Sequence, residues 1–257
     1  MFNNLKVFLW SLKLGALVNL YFLGRTFALP LASADAHVLI PAQILFAVSA
    51  FRCLFPVRYK GYIVFHDSPF SSVFLTRFFA TFSEVALIYQ LAYVIRLLNI
   101  EQVGWVDALS WLMVVQVSVS QIFVWTSILT GKLNLFFYEE IGWGLVYTMN
   151  TITSAYLYLT VDNFGGRGIL IQLNLLFGLV YLPWQLVHLR ELRLDAQGEV
   201  FTAMTWKSLA RGLNKAIYVK NQTSDSKSWG GLVGIIWMTA YWATLIPMWA
   251  YLIIQRV

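Results

Sequence analysis

Apolar stretches of about twenty residues, the length a helix needs to cross a bilayer, recur from one end of this chain to the other. Seven segments can be marked, over about 7–23, 37–56, 68–98, 106–130, 133–161, 169–188 and 229–254. A large soluble protein would give its helices polar outer faces, and most of these segments have none. Only 12% of the 257 residues are charged, about half of what a soluble domain carries. The expected fold is all-α, a polytopic transmembrane helix bundle of about seven spans in a single domain over 1–257, surrounded by the lipid bilayer.

Local chemistry marks where the segments begin and end. Pro41 stands in the first turn of the second segment, where a missing N–H does no harm. Asp67 or Ser68 is expected to cap the third segment, with Pro69 just inside it. Gly131 is a natural stop for the fourth segment, and Pro183 predicts a kink in the sixth. Lys13 and Asn19 interrupt the first segment. It reads as a span, with an interfacial helix whose Lys6 and Lys13 snorkel as the alternative. The aromatics Trp237, Tyr241, Trp242 and Trp249 of the last segment read as lipid-facing or interfacial, with an aromatic wall for an apolar ligand as the alternative.

The long polar stretch 190–228 is expected to be a basic loop containing an amphipathic helix over Val200–Val219. Lys207, Arg211 and Lys215 recur every four residues, while Phe201, Met204, Leu209, Leu213 and Ile217 supply the apolar positions. Such a helix would contact anionic lipid, or pack as a basic solvated helix on a partner or on the bundle. With seven spans, the 6–7 loop shares a side with the N-terminus and with Arg58, Lys60 and Lys132. That side holds eleven Lys and Arg, against four on the other. The positive-inside bias then puts the N-terminus in the cytosol and the C-terminus opposite. The same bias accounts for the net charge of +6 without any nucleic-acid partner.

The third segment carries Arg77 and Glu84 within an otherwise apolar run. Each ionisable group at membrane depth costs roughly 2.5–3.5 kcal/mol on insertion scales, so such groups have partners and uses. Thr76, Ser83 and Gln90 recur every seven residues, almost two helical turns, and so share one face. A matching stripe on the fifth segment holds Glu140, Gly144, Tyr147, Thr151, Ser154 and Tyr158, with Glu139 and Asn150 beside it. The fourth offers Gln116, Ser120 and Ser127. By residue count from the same membrane side, Arg77 and the pair Glu139–Glu140 reach similar depth, and Arg52 comes down to the same level. The expected site is a cytosol-facing cluster of Arg52, Arg77, Glu139 and Glu140, with Glu84 as an inner carboxyl. It would bind a ligand or couple to protons, because one of two adjacent carboxyls can hold its proton. The competing reading is an interhelical ion pair that only holds the bundle together.

The chemistry outside this cluster is sparse. Cys53 is the only cysteine, so no internal disulfide or cysteine metal cluster forms. The histidines have no metal-ligand spacing, and the His66–Asp67 pair is a weak signal. No phosphate-binding loop or nucleophile elbow occurs. A retinal Schiff base needs a lysine in the last span, and 229–254 has none. The residues point first to a small transporter or channel-like protein with a cytosol-facing polar cavity; the alternatives are a membrane-embedded enzyme acting on a lipid-like or hydrophobic substrate and a non-catalytic membrane subunit of a larger complex. No cofactor is specified by the residues.

Overall fold

The computed structural model describes residues 5–29, 35–161, 164–198 and 204–257. The described residues are all-α apart from three two-residue strands. Its helices are α1 (Leu5–Phe27), α2 (Ala36–Leu54), α3 (Val73–Leu98), α4 (Gly104–Thr130), α5 (Asn134–Thr160), α6 (Gly168–Asp195), α7 (Trp206–Tyr218), α8 (Gly231–Ala240) and α9 (Ile246–Arg256). Every expected segment is a helix. Among the described residues, four stretches are long and apolar enough to cross a membrane: α2, α3, α4 and Gly165–Leu194, which contains most of α6.

The helix ends follow local chemistry. Asp35 caps α2, its carboxylate accepting the His37 N–H at 2.8 Å. Gly131 ends α4 in the left-handed conformation, φ 74°, as a glycine at that position should. The start of α3 corrects the expectation. Ser68 caps only a short 3-10 turn, Pro69–Ser71. The long helix begins at Val73, where the Ser72 hydroxyl accepts the Leu75 N–H at 3.1 Å. Two serines four residues apart each offer a cap, and the second holds the helix.

α8 and α9 are joined by a π-helical turn, Tyr241–Leu245. Pro247 has no N–H for the Ala243 carbonyl and its ring crowds that position. The chain accommodates it by widening, and the Ile246 N–H bonds the Tyr241 carbonyl five residues back.

The chain divides into two compact units, with the boundaries inside α3 and α7. The first holds residues 1–86 and 213–255. In it α1 runs antiparallel to α2: Lys13 lies at the Cys53 carbonyl (3.3 Å), and Phe22 stacks on Phe46 (5.6 Å). α1 runs parallel to the α8–α9 stretch, since Asn19 reaches the Trp242 carbonyl and Phe22 meets Tyr251. A Cβ on Gly15 would stand 2.7 Å from that of Ala243, so glycine is what allows this approach. Lys13 does not snorkel: its ammonium donates to the carbonyls of Cys53 and Leu54 at the C-terminus of α2, where the helix dipole favours a cation. The last-segment aromatics are corrected as well. Tyr241, Trp242 and Trp249 are buried, and the side chain of Trp237 lies outside the described residues.

Between α2 and α3 the chain forms a hairpin of β1 (Val57–Arg58) and β2 (Ile63–Val64). β3 (Asn221–Gln222) adds to β2 in parallel, pairing Asn221 with Ile63 and Gln222 with Val64. The hairpin turn puts Gly61 at φ 81° and Tyr62 at φ 54°.

The second unit holds residues 87–212. α4 and α5 are antiparallel, with Phe123 against Tyr138 and Trp105 against Tyr156. α5 and α6 are antiparallel too, and one glycine sets the spacing of each pair, Gly142 that of α4–α5 and Gly178 that of α5–α6. A Cβ on Gly142 would collide with the Ser120 hydroxyl, and one on Gly178 with the Thr151 hydroxyl. Small residues let helix backbones approach in this way.

The amphipathic helix is real but shorter than expected, Trp206–Tyr218 rather than Val200–Val219. Val200 and Phe201 lie outside the described residues. α6 continues through Pro183 to Asp195, so the first part of the expected loop is helical.

Candidate functional site

In the first unit, α3 puts Arg77 four residues after its start and Glu84 seven residues later. Seven residues rise about 10.5 Å and return to within about 20° of the same face. Helical side chains lean toward the N-terminus, so the Glu84 carboxylate leans back as the longer Arg77 side chain extends forward. The two meet in a bidentate pair: Arg77 Nη1 donates to Glu84 Oε1 at 3.0 Å and Nη2 to Oε2 at 2.6 Å. Their side chains are 2% and 10% exposed.

Thr76, Ser83 and Gln90 are fully enclosed on the same helix, so the polar stripe faces inward. The hydroxyls of Thr76 and Ser83 are buried without a hydrogen-bond partner. The opposite face presents Phe78 and Phe82, both exposed. A helix with phenylalanines outside and hydroxyls inside has the polarity of a membrane span rather than of a soluble core helix.

Tyr59, on the β1–β2 turn, joins Arg52 to this pair. Arg52 Nη1 donates to the Tyr59 hydroxyl at 2.9 Å. The same ring lies 5.4 Å from the Arg52 guanidinium and 5.9 Å from that of Arg77. Trp242, from the π-helical turn, covers Arg52 at 4.7 Å. A phenol between two guanidiniums spreads their charge over aromatic faces. Arg52, Arg77 and Glu84 are therefore brought together, with Tyr59 and Trp242 as members the sequence reading did not include. Nothing in the periodicity marks Tyr59, because it stands on a turn. Trp242 reaches the group on the helix that Pro247 widens.

Glu139 and Glu140 belong to the second unit. Glu139 is buried. Gln185 of α6 holds Glu140, its amide donating to the backbone carbonyl at 2.6 Å and to the carboxylate at 2.8 Å. His188, one turn further along α6, places Nε2 3.8 Å from Glu140 Oε1 and stacks on Trp184 at 4.8 Å. The ring series continues through Tyr181 to Tyr147, whose centroids are 4.3 Å apart. Beyond it Asn150 and Asn174 are enclosed, and three of their four side-chain polar atoms lack a partner. The stripe expected on α5 faces inward at Tyr147 and Ser154, whereas Tyr158 is exposed.

Within the first unit, Arg77 thus has a partner that matching by depth to Glu139 and Glu140 did not pick out, the Glu84 carboxylate on its own helix. Depth counting compares helices and ignores an i, i+7 contact between two long side chains on one of them.

Outside the spans, His66 packs edge-on to Trp10, with centroids 5.8 Å apart. Burial, and secondarily the Lys13 ammonium, lowers its pKa. Asp67 lies 3.6 Å from Lys220. Among the described residues no group of three His, Cys, Asp or Glu side chains is placed to hold a metal ion.

The chain matches no protein-family model, and searches of curated proteins and of solved structures give no match either.

Proposed function

We propose that this chain is a multi-pass membrane protein of about seven spans that conducts protons or a small polar solute along the inward stripe of α3. The observation that carries the reading is the enclosed Arg77–Glu84 pair, flanked by buried hydroxyls on a helix whose other face is apolar. Intramembrane ion pairs of this kind mark solute and proton pathways. Glu84 is the group that takes a proton. When it does, it releases the Arg77 guanidinium, which stays charged and turns toward Tyr59. Proton loss to the other side restores the pair.

Helix direction supports seven spans. α1–α2, α4–α5 and α5–α6 are antiparallel pairs, and the α8–α9 stretch runs parallel to α1, as the first and seventh members of an up-and-down series must. The basic 6–7 loop then shares the cytosolic side with the N-terminus.

The test is proton flux. The purified chain is reconstituted into liposomes that trap a pH dye, and a pH gradient is imposed. The wild type collapses the gradient faster than empty liposomes do. Glu84→Gln returns to the empty-liposome rate, while Glu84→Asp, still titratable, retains part of it. Equal rates for wild type and Glu84→Gln would contradict the reading.

One observation favours a second reading, a membrane-embedded enzyme. Glu140 and His188 form an acid–base pair beside a column of aromatic rings that suits a lipid-like substrate. Turnover of an added lipid in detergent, abolished by His188→Gln and with no gradient collapse, would select it.

A further inference from the structure

We infer that α7 is an interfacial helix that seats the chain on an anionic bilayer surface; the inference rests on the membrane reading of the long helices. α7 has three sectors. Gly212 and Ala216, one turn apart, are buried. Trp206, Ala210 and Leu213 fall within a narrow sector of the helix and are exposed, Trp206 by 88%. Lys207, Arg211 and Lys215 occupy the next sector, also exposed. An exposed apolar strip beside a basic strip is the pattern of a helix lying in a headgroup layer.

The depth of the helix is set independently of this pattern. A Cβ on Gly212 would collide with the Leu129 carbonyl, so the α7 backbone lies directly against the last turn of α4. α4 is long and apolar enough to span, which puts its last turn at a membrane face. The apolar strip is therefore held where acyl chains begin. Its occupant is lipid, and the charge complementary to the basic strip is anionic phosphate. Lys and Arg near such a surface are attracted over about a Debye length.

The test uses the full chain in a Cys53→Ser background. Spin labels are placed at Leu213→Cys, Lys215→Cys and, as a control, Val115→Cys on the exposed face of α4. The proteins are studied in nanodiscs of phosphatidylcholine with and without phosphatidylglycerol. Collision with oxygen reports acyl chains, and collision with a water-soluble nickel chelate reports solvent. With phosphatidylglycerol present, the oxygen-to-nickel ratio at 213 is several-fold above that at 215. It falls toward the 215 value when Lys207→Gln, Arg211→Gln and Lys215→Gln are combined, or when phosphatidylglycerol is omitted. A label at 213 that stays in solvent while the one at 115 is in lipid overturns the inference and leaves the membrane reading standing. A label at 115 in solvent overturns both. Insertion at 213 that ignores lipid charge overturns the anionic assignment.

Discussion

Arg77 and Glu84 stand two turns apart on one face of α3 and close into a bidentate pair, at 3.0 and 2.6 Å, with almost no exposure. Removing one member of a buried pair leaves the other charge without its main compensation, which costs about 3–5 kcal/mol. Arg77→Met and Glu84→Leu should each lower stability by that order, and the double variant should lose less than either. Thermal unfolding in detergent measures all three. Additive losses would mean that the pair is not coupled.

The α4–α5 contact predicts a rescue. Gly142→Ala places a methyl group against the Ser120 hydroxyl and should destabilise by about 1–3 kcal/mol, as overpacking does. Adding Ser120→Ala removes the colliding oxygen and should recover part of the loss. The recovery is partial because the Ser120 Cβ itself stands 3.2 Å from the new methyl. Chemical denaturation of the single and double variants checks both signs.

Lys13 ties α1 to the end of α2. Lys13→Met removes a charged donor from the Cys53 and Leu54 carbonyls and should cost about 1.5–3 kcal/mol. Lys13→Arg keeps the charge at the helix terminus and should cost less. The comparison is made by thermal unfolding at one pH. Equal losses in the two variants would show that the charge there contributes nothing.

His66 gives the protein a dependence on pH. Its folded pKa lies below the ordinary value of 6.5, so the unfolded chain binds the proton more readily. The contribution of His66 to stability is full above that value and is lost as pH falls through the folded one. Wild type should therefore lose more thermal stability than His66→Gln between about pH 8 and pH 5. Parallel pH profiles would show that His66 contributes nothing.

The helices were legible because periodicity and length carry over directly into them: each expected segment is helical, and four stretches among the described residues are long and apolar enough to span a membrane. The start of α3 was less so, since Ser68 and Ser72 offer equivalent caps and only packing selects between them. The inward stripe of Thr76, Ser83 and Gln90 was readable from its seven-residue spacing. Tyr59, Trp242, Gln185 and His188 were not, because each reaches its site from a turn or from another helix. Spacing along one element says nothing about what a neighbour delivers. The bidentate contact of Arg77 with Glu84 was missed for the opposite reason. It lay on the same helix, and the comparison was made between helices.

The central claim is that the inward stripe of α3 is a wet path rather than dry packing. In the Cys53→Ser background, Ser83→Cys and Phe82→Cys in reconstituted protein are treated with a membrane-impermeant thiol reagent. The account predicts that Ser83→Cys reacts and that Phe82→Cys, one residue away on the exposed apolar face, does not. Failure of Ser83→Cys to react from either side of the bilayer would contradict it and would leave Arg77 and Glu84 as a structural pair.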